Sequence, residues 1–419
     1  MHLTDADQWV YHWISTFRGF NGKSRLGVAV SGGSDSVALL HLLAAFAAEK
    51  GLHLEAATVN HNLRPDAVKE AAFVADLCKA LNVPHQTLIW KGWDKTGNLQ
   101  NEARKARYRL LAEWAQEQRL ETVALGHTQD DQAETFLMRL ARASGVDGLA
   151  AMEAVFTRNG AEFSRPALMI NRSDLRDFLR RHDISWKDDA SNEDTTFDRV
   201  KARKAMTVLS DLGIDSGVLQ TVANNMRFAS SALKHYAAQE ARACVTTCFG
   251  DLLLDRSHFL TIPTDIQNRI LCRALMWMAG GDYPPRAAAL RELHAAIIRR
   301  SPHTLHGCLI TSGPSEIRIT RESNAVKKLT SPTHAIWDGR WILSGPSDPS
   351  LCIKALGEEG LKQIENWRDA QLPHKSLLSS PAIWDGNTLI SAPLSGFSNG
   401  WTAELAPNRA DFHEFLESH

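Results

Sequence analysis

Two glycines set among serines, Ser31-Gly32-Gly33-Ser34-Asp35-Ser36, stand between two apolar stretches. Leu26-Gly27-Val28-Ala29-Val30 precedes them and Val37-Ala38-Leu39-Leu40-His41-Leu42-Leu43 follows. The order reads as a buried strand, a tight loop and a helix start. That order constrains the chain to an α/β fold with the loop at the carboxyl end of a strand, where such folds bind ligands. The loop aims backbone N–H groups and the positive end of a helix dipole at one point, which suits a phosphate. Gly32 and Gly33 let the backbone approach closely, and Ser31, Ser34 and Ser36 add hydroxyl donors.

Asp35 does not fit a plain anion cradle. A carboxylate beside phosphates is repelled unless a cation lies between them, so Asp35 points to Mg²⁺. The competing reading makes it a helix cap in a serine-rich turn. The spacing and lysine of the kinase-type P-loop are absent.

Downstream, strand and helix patterns alternate: strands near His53–Asn60, His85–Trp90, Thr122–Leu125 and Phe163–Ile170, with helices between them. Alternation of this length predicts a parallel sheet with right-handed crossovers. Residues 1–215 are expected to form this α/β domain, 216–305 a helical domain and 306–419 a small β-rich domain. Ile336-Trp337-Asp338-Gly339 recurs as Ile383-Trp384-Asp385-Gly386, and both read as hairpins with an Asp-Gly turn. A chain of 419 residues has ample core for two or three domains. Its formal net charge of −1 gives no global basic signature, so any nucleic-acid contact must come from a local patch. The cysteines at 78, 244, 248, 272, 308 and 352 form no CxxC pair and read as buried thiols of a reducing compartment. With no signal-peptide pattern and no apolar run long enough to span a bilayer, a cytoplasmic protein is expected.

Three further clusters carry candidate chemistry. In Gly126-His127-Thr128-Gln129-Asp130-Asp131-Gln132-Ala133-Glu134, Asp131 and Glu134 share one face of a helix's first turn, at the same sheet edge as the glycine loop. They can hold a cation, orient an amine or accept its proton. Thr128 and Asp131 equally spell a capping box. Arg104 and Arg107, three apart, suit planar phosphate recognition, or form a solvated basic face. Arg199, Lys201, Arg203 and Lys204 follow a long polar loop and suit an RNA backbone, or a basic helix end. The 17 histidines show no metal motif; His127 sits at a strand end and His61 near another, where an adenine could rest.

As a set these pieces resemble the tRNA(Ile)-lysidine synthetases, members of the PP-loop ATP-pyrophosphatases. The resemblance rests on SGGSDS (31–36), VNHNLRPDAVKEAAFV (59–74), NLQNEARKARYRLL (98–111), GHTQDDQAETFLMRL (126–140) and SRPALMINRSDLRDFLRRHDISWKDDASNED (164–194). It covers about residues 20–205 and implies a Rossmann-like PP-loop domain. The implied reaction adenylates the C2 carbonyl oxygen of the wobble cytidine of tRNA(Ile) with ATP. The ε-amine of free L-lysine then displaces AMP and leaves lysidine. Carried over by motif, Ser31, Gly32, Gly33, Ser34, Asp35 and Ser36 bind the ATP phosphates, with His127 beside the nucleotide. Asp35, Arg107, Asp131 and Glu134 form the reaction centre, with Asp131 as base and Asp35 and Asp131 on Mg²⁺. Arg104, Asn192, Arg199 and Arg203 are expected against the substrate. The family's Arg-Asn and Ile-Arg pairs read Arg199-Val200 and Ala202-Arg203 here.

The implied partners are a tRNA(Ile) with a CAU anticodon and L-lysine, with no membrane and a homodimer as a further expectation. Another PP-loop adenylating enzyme, either a tRNA thiolase or a small-molecule synthetase, shares the loop. The thiolases that hold iron–sulfur clusters need close cysteine pairs, which are missing. A non-catalytic nucleotide- or RNA-binding protein need not keep Asp35, Asp131 and Glu134 together.

Overall fold

The computed structural model describes residues 4–62, 66–91, 99–187, 198–280, 284–346, 348–409 and 411–418. The chain divides into two compact units, Met1–Ser230 and Ser231–His419.

The first unit is built on a six-stranded sheet. Its strands are β1 (Arg25–Ala29), β2 (His53–Asn60), β3 (His85–Ile89), β4 (Thr122–Leu125), β5 (Val155–Arg158) and β6 (Ala161–Ser164), in spatial order β3-β2-β1-β4-β6-β5. All neighbours are parallel except β5 and β6. The helices are α1 (Gln8–Ser15), α2 (Ser34–Lys50), α3 (Asp66–Ala80), α4 (Leu99–Glu117), α5 (Gln129–Leu140), α6 (Val146–Leu149), α7 (Arg172–Arg181) and α8 (Asp198–Ser210). After β1 the chain adds strands on one side as far as β3, then returns to place β4 on the other. The crevice between the carboxyl ends of β1 and β4 is therefore the topological switch point, the ligand position of open α/β sheets. Every residue of β4 is buried and β1 is buried beyond Arg25, as expected for strands covered on both faces. Side chains of α1, α2, α3 and α7 pack one core cluster, and Tyr108, Leu111 and Trp114 of α4 pack another.

The sequence-expected strand Phe163–Ile170 is shorter than anticipated. β6 ends at Ser164, before Pro166, and α7 begins at Arg172. The antiparallel partner β5 was not anticipated. It joins β6 through Asn159 (φ 51°) and Gly160 (φ 76°), the left-handed pair that a tight hairpin requires.

A long helix, α9 (Ser216–Cys244), leads from the first unit into the second. The second unit then carries β7 (Val245–Cys248), β8 (Asp251–Asp255), α10 (Arg256–Thr261), α11 (Thr264–Ala279), α12 (Ala287–Arg299), β9 (His303–Leu305), β10 (Cys308–Ser312) and β11 (Glu316–Arg321). The expected break near 305 is not where this unit divides. β7 and β8, inside the stretch read as helical, pair into one sheet with strands beyond 305, in the order β7-β8-β11-β10-β9. One core draws on Ile270 and Trp277 of α11 as well as Ile310, Ile317 and Ile319 of the sheet. Of the two Asp-Gly motifs, the first holds Asp338 (φ 52°) and Gly339 (φ 62°) in a left-handed turn bridged by Trp337 and Trp341. In the second, Asp385 is itself a strand residue paired with Thr388, so Gly386-Asn387 makes the turn. No helix among the described residues is long and apolar enough to cross a membrane.

Candidate active site

The loop after β1 is folded by its own side chains. Ser36 Oγ accepts from Ser31 N at 3.1 Å and donates to the Gly33 carbonyl at 3.0 Å. Gly32 has φ +88°, a left-handed value that a side chain would strain. Gly126, just past β4, is needed for another reason. A Cβ there would lie 2.9 Å from Ser36 Cα and 3.0 Å from Ser36 N, so only glycine lets the end of β4 meet the start of α2.

A cavity of about 710 Å³ opens at this junction. One wall is apolar, with Ala29, Val30, Ala57, Val59 and Ala67 beside His61. His61 packs edge-on to Trp90 at 5.7 Å, and its Nδ1 is buried without a hydrogen-bond partner among the described residues. Apart from Gly33 and Gly126, the rest of the lining is polar: Thr58, Glu70, His127, the loop serines, Asp35, Asp131, Arg107, Arg172, Arg176, Lys187, Arg199 and Arg203. The cavity therefore suits an elongated molecule with a flat apolar end and an anionic end.

Asp35, Asp131 and Glu134 converge on one guanidinium, that of Arg172 at the start of α7. Arg172 Nε donates to Asp35 Oδ2 at 2.9 Å and Nη2 to Asp131 Oδ1 at 3.2 Å, while Nη1 lies 3.5 Å from Glu134 Oε1. Glu134 Oε1 also accepts from Arg203 Nε at 2.6 Å. Arg199 stands farther off, 3.8 Å from Asp131 and 3.9 Å from Glu134. Glu134 Oε2 is buried and accepts no hydrogen bond among the described residues. The two readings of Asp131 coexist in one carboxylate. Its Oδ2 accepts from the N–H and hydroxyl of Thr128 at 2.9 and 3.1 Å, closing the capping box, while Oδ1 faces the cavity and Arg172.

Burial pushes Asp131 up, but Arg172 and then Arg199 outweigh it and hold the carboxyl below its usual range. Asp35 goes the other way. Its burial, helped by the nearby Asp131 charge, exceeds what Arg172 and the Ser34 hydroxyl give back, and its carboxyl is raised. Burial pushes His127 down to about 3, with Arg165, Arg107 and Arg199 adding to the effect against Asp131.

The expected residues fall into three groups. Ser31, Gly33, Ser34, Asp35, Ser36, His127, Asp131, Arg107, Arg199 and Arg203 line the cavity, with Gly32 shaping the loop and Glu134 just behind. Arg107 is on the wall and not in the carboxylate array; among the described residues it has no ion pair. Arg104 is exposed over the Tyr108 ring and does not line the cavity. Asn192 lies outside the described residues. Sequence reasoning missed Arg172, and also Arg176, whose Nε donates to Ser34 Oγ at 3.3 Å. Their one-turn spacing, beside the apolar Leu175 and Leu179 on the same helix, is the signal that could have marked them. The donor set also suits Mg²⁺, which takes one or two carboxylates plus phosphate and water oxygens. Among the described residues no group of three or more His, Cys, Asp or Glu could hold a metal alone.

The family model described as a PP-loop domain matches residues 7–209. The chain is 48% identical over 395 residues to a tRNA(Ile)-lysidine synthase from Ruegeria pomeroyi, covering 94% of each chain. It is 36% identical over 330 residues to one from Wolbachia pipientis wMel, covering 76% of each. A third, from Bradyrhizobium sp., is 36% identical over 326 residues, covering 75% of this chain and 89% of that one.

Proposed function

The chain belongs to the tRNA(Ile)-lysidine synthase family, and from that premise we propose that it joins L-lysine to C2 of the wobble cytidine of a tRNA(Ile) with a CAU anticodon, at the expense of ATP. The observation that carries the site assignment is the convergence of Asp35, Asp131 and Glu134 on Arg172 at the mouth of the serine–glycine loop. In this reading the adenine lies against the apolar wall by His61, and the triphosphate lies over Ser31–Ser36 towards Arg107, Arg176 and Lys187.

The cytidine carbonyl oxygen attacks the α-phosphorus. Pyrophosphate leaves, and the C2–O–AMP linkage turns a poor leaving oxygen into a good one. The lysine ε-amine then attacks C2 and the C2–O bond breaks with release of AMP. The ammonium must first lose a proton. Asp131 and Glu134 are the acceptors at hand. Asp131 is ionised at neutral pH, though Arg172 and Arg199 make it a weak base. Glu134 keeps one buried oxygen with no hydrogen bond among the described residues. Asp35 and Asp131 would hold Mg²⁺, which when bound supplies charge neutralisation across the phosphates.

On α8, Arg199 and Arg203, four apart, face the cavity, whereas Lys201 and Lys204 are exposed. That division supports a helix whose inner face meets the reacting end of the substrate and whose outer face meets RNA phosphates. The same loop serves small-molecule synthetases, and one experiment separates the readings. Pyrophosphate release from ATP by the full chain is measured with tRNA, with lysine, with both and with neither. Release that requires the CAU tRNA is expected. Release without any RNA would favour a small-molecule substrate.

A further inference from the structure

Arg165, which follows β6, is buried at 6% exposure and reaches the cavity only through His127. Its guanidinium is fixed on three sides. Nε donates to His127 Nδ1 at 3.3 Å, Nη1 donates to the Glu153 carbonyl at 2.6 Å, and the plane lies 4.0 Å over the Phe156 ring. A guanidinium has five N–H donors and no acceptor. The nitrogen that receives its hydrogen bond must therefore present a lone pair, so Nδ1 of His127 carries no proton. The ring proton is left on Nε2, which has no hydrogen-bond partner among the described residues and belongs to a cavity-lining side chain.

We propose that Arg165 is a positioning residue that fixes His127 as the Nε2–H tautomer, so that His127 meets the nucleotide as a hydrogen-bond donor to a phosphate oxygen and not as a base. The charged groups around His127 agree with this assignment. Arg107 on α4, Arg199 on α8 and Arg165 itself disfavour a second ring proton, and Asp131 on α5 opposes them without prevailing. A second phosphate-facing donor of fixed direction then stands at the end of β4, opposite the donors of the serine–glycine loop. The inference rests on the cavity being the nucleotide site.

The full chain, labelled with ¹⁵N-histidine and free of nucleotide, gives the direct test at pH 7.5. Two-bond ¹H–¹⁵N correlations report which ring nitrogen is protonated, and His127→Gln identifies the signal. The wild type should show the Nε2–H tautomer, and Arg165→Lys should keep it, because lysine also only donates. Arg165→Met should lose it in favour of a mixture. An Nδ1–H tautomer or an imidazolium in the wild type would overturn the proposal before any variant is made. A tautomer unchanged in a folded Arg165→Met protein would overturn the role of Arg165 alone.

Binding of a non-hydrolysable ATP analogue supplies the functional half. His127→Phe and Arg165→Met should each weaken it by about 10-fold, the cost of one hydrogen bond to a charged group. The double variant should bind no worse than His127→Phe. Additive losses would mean that Arg165 acts independently of His127. Absence of analogue binding by the wild type would overturn the nucleotide reading and the donor role with it, while leaving the measured tautomer intact.

Discussion

Arg172→Met removes the cation on which three carboxylates converge and leaves them facing one another. The side chains concerned are well shielded: Arg172 is 20% exposed, Asp35 18%, Asp131 7% and Glu134 2%. Solvent screening is therefore a minor discount here. Removing one partner of a buried ion pair costs about 3–5 kcal/mol, chiefly the penalty of the stranded charge. Arg203 still touches Glu134, which places this case at the lower end, about 3 kcal/mol. For a folding unit of 150–250 residues, each kcal/mol shifts Tm by roughly 2–4 °C, so the first unit should melt roughly 6–12 °C lower. The pH dependence has a definite sign. Asp131 lies below its ordinary value in the wild type, so its contribution to stability is present above the unfolded pKa and lost as pH falls through the folded one. Without Arg172 that contribution is gone, and the added repulsion is relieved only when a carboxyl takes up a proton. The deficit should therefore be largest at pH 8 and shrink towards about pH 3, below the ordinary carboxylate value. Scanning calorimetry of the full-length wild type and variant at both pH values gives the comparison. A deficit of equal size at both, or none at pH 8, would refute the electrostatic account of the array.

Three other outcomes follow from the same geometry. Asp35→Asn should leave Tm essentially unchanged, because burial already disfavours that charge, yet lower turnover by about 10²–10³, as loss of a preorganised electrostatic group does; near-normal turnover would remove Asp35 from the reaction centre. Gly126→Ala should push β4 away from Ser36 and weaken ATP binding measured by calorimetric titration, and an affinity equal to the wild type would mean that the loop does not depend on that contact. Lys204→Ala, on the exposed side of α8, should weaken tRNA binding without changing ATP binding, and should lower the salt slope of the tRNA affinity by about 1. An unchanged slope would remove this helix from the RNA contact.

Local order made the loop legible in the sequence. Strand, Gly-Gly turn and helix start occupy adjacent residues, and the Asp131–Glu134 pair is a single helical turn. Arg172 was hidden because its partners are remote in the chain: Asp35 is 137 residues away and Asp131 is 41. Only the placement of α7 beside α2 and α5 brings them together, and nothing in the sequence near Arg172 states that placement. Arg165 was hidden in the same way, 38 residues from His127. The hairpin β5–β6 was in principle readable from Asn159-Gly160. The two strands β7 and β8 were overshadowed by the helices on either side, although Val245-Thr246-Thr247 carries β-branched residues and Phe249-Gly250 supplies the turn. The purely helical reading of 216–305 missed them for that reason: sheet pairing between remote segments, not composition, joins β8 to β11.

The central claim is that this chain forms a carbon–nitrogen bond between lysine and a wobble cytidine. The full chain is incubated with ATP, Mg²⁺, isotopically labelled lysine and a tRNA(Ile) transcript with a CAU anticodon, and the digested nucleosides are analysed by mass. The account predicts a modified cytidine heavier by one lysine less one water, carrying the label, with one AMP and one pyrophosphate released for each nucleoside modified. A sulfur-containing nucleoside, or ATP cleaved with the cytidine unchanged, would contradict it.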